Sequence, residues 1–131
     1  MFGKKKSTTG PIESLIGQST RIEGNIRFRG GLRIDGEVHG SVIAEEDGPS
    51  MLVLSEQARV IGEVRAASLV VNGSIQGPVQ ADESLELQPK ARVRGEVRYR
   101  ALEIHQGAQV DGVLIHLEAD RPNLKLALAK S

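Results

Sequence analysis

Residues 58–64 read ARVIGEV, residues 91–97 ARVRGEV and residues 108–114 AQVDGVL. Each holds a small residue, an aliphatic, a glycine and a second aliphatic at alternate positions. Residues 20–26, TRIEGNI, repeat the pattern. Residues 32–42, LRIDGEVHGSV, and 69–79, LVVNGSIQGPV, carry a variant with two glycines: Gly36 and Gly40, then Gly73 and Gly77. Alternation at period two signals strands. The intervening residues are mostly polar (Arg59, Glu63, Arg65; Arg92, Arg94, Glu96, Arg98), so one face is buried and the other is wet. Helices are disfavoured, because each interior glycine would cost about 1 kcal/mol.

A longer period frames these units. The pairs Leu32/Ile34, Leu52/Leu54, Leu69/Val71, Leu85/Leu87 and Leu102/Ile104 head successive repeats at steps of 20, 17, 16 and 17. The long step contains the polar turn at residues 45–50, and without it the period is near 17. Stepping back from Leu32 reaches Leu15, though the first repeat sits about one residue out of phase. The period is too short for a propeller blade or a helical repeat, and it suits one triangular coil of a β-helix. Coils stack at about 4.8 Å, so six of them make a prism roughly 28 Å long. The expectation is an all-β, single-domain β-helix of about six coils, three short strands each, over residues 15–118. Leu15, Leu32, Leu52, Leu69, Leu85 and Leu102 would form one ladder, and Val60, Val93 and Val110 part of another. The competing architecture is a sandwich or barrel of six hairpins, which rarely keeps so strict a phase and usually carries core aromatics.

Composition agrees with a narrow prism. Aromatics are 2% of 131 residues, while glycine numbers 15. There is no cysteine, hence no disulfide, thiolate metal site or Cys nucleophile. The charges balance at 17 against 17. That argues against a nucleic-acid partner, which calls for a basic face and stacking aromatics, and it favours self-association. No apolar run approaches the ~18 residues of a membrane span, and the start MFGKKKSTTG has no apolar signal region.

The repeated G-x-V and I-x-G units, the phrase LRIDGEVHGSV and the N-terminal Met-Phe-x-Lys-Lys tag together resemble the bactofilins, bacterial polymer-forming cytoskeletal proteins. The resemblance covers residues 15–118. It implies a right-handed β-helix between disordered tails, residues 1–14 and 119–131. It also implies nucleotide-free filaments on the inner membrane surface that scaffold cell-envelope machinery, with cell-wall synthesis or remodelling proteins as partners.

Other chemistry finds little support. His39, His105 and His116 fall at different offsets within their coils, which weakens a carbonic-anhydrase-like reading. The hexapeptide spacing of acyltransferases holds for Ile16, Ile22, Phe28 and Ile34, then fails at Gly40 and Glu46. A pectate-lyase-like reading needs a carboxylate cluster, whereas acids here alternate with arginines. No phosphate-binding loop occurs, so neither nucleotide nor any cofactor is expected, and no catalytic or metal site. Gly40, Gly73 and Gly77 read as corner or close-packing glycines. A β-helix enzyme of the acyltransferase or carbonic-anhydrase type is the alternative.

Two features point to binding. Met1 and Phe2, beside Lys4, Lys5 and Lys6, can enter a lipid interface, with about 1 kcal/mol per lysine on anionic lipid. One tag binds weakly, and a polymer of tags binds by avidity. Phe2 excludes N-myristoylation, which requires glycine there. The terminal coils supply the second feature. Leu15, Ile16, Ile22, Ile26 and Phe28 at one end, and Val110, Val113, Leu114, Ile115 and Leu117 at the other, have no evident cap, although soluble solenoids cover their ends. Another copy is the simplest cover. After Pro122, the alternation at Leu124, Leu126 and Leu128 fits an added strand, a short helix or a loose tail.

Overall fold

The structure is a computed structural model that describes residues 12–46 and 48–118. It is a parallel β-solenoid of six coils with three faces. The first face stacks β1 (Ile12–Ile16), β4 (Gly30–Ile34) and β7 (Ser50–Leu54) with the second halves of β9 (Val64–Val71), β11 (Val79–Leu87) and β13 (Val97–Ile104). The second is a six-stranded sheet of β2 (Arg21–Glu23), β5 (Glu37–His39), β8 (Arg59–Ile61), β10 (Ser74–Gln76), β12 (Arg92–Arg94) and β14 (Gln109–Asp111). The third stacks β3 (Ile26–Phe28), β6 (Val42–Ala44), the first halves of β9, β11 and β13, and β15 (Leu114–His116).

Registered ladders fill the prism. Leu32, Leu52, Leu69, Leu85 and Leu102 stack on the first face. Ile22, Val38, Val60, Ile75, Val93 and Val110 stack on the second. Ile26, Val42, Val64, Val79, Val97 and Leu114 stack on the third. Ile34, Leu52, Leu54, Val60, Val64, Leu69, Val71 and Ile75 are 0% exposed. Each such side chain contributes about 1.5–3 kcal/mol of burial.

The two sequence patterns correspond to two kinds of corner. After the first face, coils one, three, five and six turn through residues 17–20, 55–58, 88–91 and 105–108. Those four-residue turns are closed by bonds such as Ala58 N–H to Ser55 O, 2.9 Å, and Ala91 N–H to Gln88 O, 2.9 Å. Coils two and four turn through only Asp35-Gly36 and Asn72-Gly73. Each of these glycines lies against the carbonyls of the turn below: a Cβ on Gly36 would be 2.3 Å from Gly17 O and Thr20 O. The glycine common to all six repeats builds the next corner. Gly24, Gly40, Gly62, Gly77, Gly95 and Gly112 stack, and a Cβ on Gly77, whose φ is +145°, would lie 2.2 Å from Gly62 O. No side chain fits between coils that close.

Leu15 does not join the leucine ladder. Ser14 lies opposite Leu32 and Leu15 opposite Arg33, so Leu15 faces outward and is 61% exposed. The first coil is longer than 17 because an extra residue enters the corner before β4, at Gly30 with φ +72°. Of the polar segment expected to turn at residues 45–50, the described part lies between β6 and β7, except Ser50, which opens β7 and is buried.

Candidate assembly interface

Interior coils bury their ladder residues on both sides, and the terminal coils cannot. Among the described residues, the exposed large apolar side chains are Ile12, Leu15, Ile104, Val113 and Leu114, all in the first or last coil. The contrast runs along single ladders. Leu87 is 0% exposed and Ile104, stacked on it, is 46%; Val97 is 0% and Leu114 is 42%. Strands β2 and β14 are the edges of their sheet, and β1 and β15 end the other. Unpaired edges of this kind template further pairing.

Side-chain direction sorts the expected interface residues. At the first end Ile16, Ile22 and Ile26 are half-buried and continue ladders. Phe28 is only 9% exposed: it points into the core beside Ala44 and has little surface left for a partner. At the last end Val110 and Leu114 top their ladders. Ile115 instead stacks on Arg98 in an outward column, and Val113 occupies the outward corner position held by Glu96 one coil below. Leu117 is half-buried, its N–H bonded to Tyr99 O at 2.6 Å. The membrane tag, Met1 to Lys6, lies outside the described residues, as do residues 119–131.

The histidines separate as their offsets require. His39 is in the second face, 2.7 Å from Glu37. His116 is in the third, bonded to Arg100 O at 2.9 Å. His105 opens a corner of the last coil, 2.8 Å from Glu86 and 3.4 Å from Glu103. The Glu86–Glu103–His105 cluster was missed from sequence, though Glu86 and Glu103 are one period apart; their donor atoms lie within 4.8 Å of one another. All three remain partly open to water, and the imidazole bridges two stacked carboxylates. Elsewhere charges pair within the surface. His39 hydrogen-bonds the Glu37 carboxylate and holds it below its usual range, outweighing the upward push of desolvation. At Asp35 desolvation is the strongest single influence and pushes upward, but Arg33, by its bond and its charge, and Ser55 together outweigh it, so its carboxyl too is lowered. No helix long and apolar enough to cross a membrane occurs among the described residues.

Among the described residues no cap covers either end of the solenoid, and the core is open in the first and last coils, an architecture suited to polymer formation. The bactofilin family, described as polymer-forming cytoskeletal, matches residues 14–114. The chain belongs to that family. Among solved structures it is similar to Thermus thermophilus bactofilin in double helical filaments, with 33% identity, 80% of this chain and 100% of that chain covered, and a TM-score of 0.74. It is also similar to a crystallised point mutant of the same bactofilin, with 34% identity, coverage of 70% and 98%, and a TM-score of 0.64. No curated protein matches the chain.

Proposed function

We propose that the chain is a non-enzymatic cytoskeletal scaffold whose β-helices stack end to end into filaments without nucleotide. The observation that carries this is the abrupt opening of each ladder at the terminal coils, from 0% exposure at Val97 to 42% at Leu114. A second copy continues both the ladders and the strand pairing. The filaments of the Thermus relative support the same reading, and their double helical form supports pairing of two filaments here. The sequence of residues 1–6 supports a place on the inner face of the cytoplasmic membrane, where the polymer localises cell-envelope machinery.

Purified protein sedimented with and without ATP or GTP tests the first part. The expected result is an equal pellet in both, containing filaments by electron microscopy. A monomer that stays in the supernatant at all concentrations refutes it. Co-flotation of the polymer with anionic vesicles tests the second part.

A further inference from the structure

The flat outer surface of the first face carries an outward column in the order Leu15, Arg33, Val53, Val70, Glu86, Glu103, one residue per coil. Beside it runs a second column, Gly31, Met51, Ser68, Ser84. Val53, Val70 and Met51 point away from the core and are half-buried. The face is apolar at its centre, basic on one side and acidic on the other.

That order is self-complementary under one operation only. A two-fold axis along the strands, midway between Val53 and Val70, reverses the column onto itself. Val53 then meets Val70 of a second copy, and Arg33 meets its Glu86. In the neighbouring column, Met51 meets the small Ser68. Parallel packing sets Arg33 on Arg33 and Glu86 on Glu86, and like charges directly opposed are destabilising. Sliding the axis by half a coil step sets Val53 against Glu86 in one direction, and Val70 against Arg33 with Leu15 against Glu86 in the other. Both charges keep capacity for a new partner. Arg33 spends its Nε on Asp35, and a guanidinium has five N–H donors. Glu86 accepts from His105 and Gln88 through Oε2, and a carboxylate has a second oxygen. The outermost rung, Leu15 against Glu103, is unlike, but it lies where sheet twist carries two packed faces apart.

We propose that this face joins two filaments side by side with the facing protomers antiparallel, Arg33–Glu86 pairs flanking a Val53–Val70 centre. The occupant is a second copy of this chain. The inference rests on the filament reading above. The patch, ~20 Å by ~16 Å from coil and residue spacings, is far smaller than the roughly 1,000 Å² expected of a stable interface. It therefore acts only when repeated along a polymer.

A charge swap tests it. Arg33→Glu and Glu86→Arg should each convert paired filaments to single ones by electron microscopy, cutting the paired fraction about tenfold. The double variant, Arg33→Glu with Glu86→Arg, should restore pairing. Persistent pairing in the single variants, or no recovery in the double, overturns the proposal. Disulfide trapping provides a route that keeps one of the two charge pairs, and the chain has no native cysteine. Filaments of Arg33→Cys and Glu86→Cys protein, mixed and oxidised, should yield cross-linked heterodimers. Either variant alone should not, because its own cysteines lie three coils apart, ~14 Å, beyond disulfide reach. Cross-linking of Arg33→Cys alone means parallel packing and overturns the proposal. Wild-type filaments that are always single overturn it while leaving end-to-end assembly intact; wild-type protein that forms no filament overturns both.

Discussion

Leu114→Arg should separate assembly from folding. Leu114 tops the third-face ladder over Val97 and is 42% exposed. A fully buried Leu contributes about 1.5–3 kcal/mol. By that scale, about 1–2 kcal/mol of it supports the monomer's own fold, and roughly 0.6–1.3 kcal/mol remains for a partner to bury. The folded coil should survive the loss, with a melting temperature lower by roughly 5–10 °C on the usual scaling for a small domain. Assembly should not survive. A contact of ~600 Å² of mostly apolar surface gives about 15 kcal/mol gross, against association costs of roughly 4–15 kcal/mol. Desolvating an unpaired guanidinium costs several kcal/mol, and each 1.4 kcal/mol is about tenfold in affinity. The end contact should weaken by more than about a hundredfold. Sedimentation velocity reads the product, and circular dichroism shows that it is folded. A discrete dimer means that like ends meet like ends and the other end still works. Monomers mean head-to-tail stacking, in which every contact uses this surface. Long filaments from folded Leu114→Arg protein would falsify the placement of the interface.

Val93→Asp should unfold the core, because Val93 is 3% exposed and an unpaired carboxylate would face the prism axis; Arg92→Asp, on the exposed neighbour, should move the thermal midpoint by only a few degrees. Gly77→Ala should be among the most damaging small substitutions, since the new Cβ meets the Gly62 carbonyl at 2.2 Å with φ at +145°; soluble expression and a melt check it, and a wild-type midpoint would contradict the close-packed corner. Deleting residues 2–6, or Phe2→Glu, should release the polymer from anionic vesicles while leaving filaments intact. Changing Lys4, Lys5 and Lys6 together should remove most of the salt dependence of binding, and vesicle flotation of the truncated protein at wild-type levels would show that the anchor lies elsewhere.

Much of this protein was legible in its sequence, because a solenoid makes spatial neighbours out of residues one period apart. The leucine ladder from Leu32 to Leu102, the strand alternation and the scatter of the histidines all follow from a period near 17 and a side-chain period of two. Aliphatic residues that top their ladders in the last described coil, Val110 and Leu114, were also legible. Tertiary structure decided what depends on local changes in coil length. One extra residue at Gly30 turned Leu15 outward against Arg33, a slip that spacing alone cannot show because a bulge and a shortened corner change the count alike. Short corners at Asp35-Gly36 and Asn72-Gly73, nested on longer ones, explain why the repeat comes in two forms. Stacking likewise decided that Phe28 is core rather than surface. It also made the outer face a reversible sequence of charge, valine, valine and opposite charge. Single residues in a chain specify which way they point, but only the registered coils specify which of them share a surface.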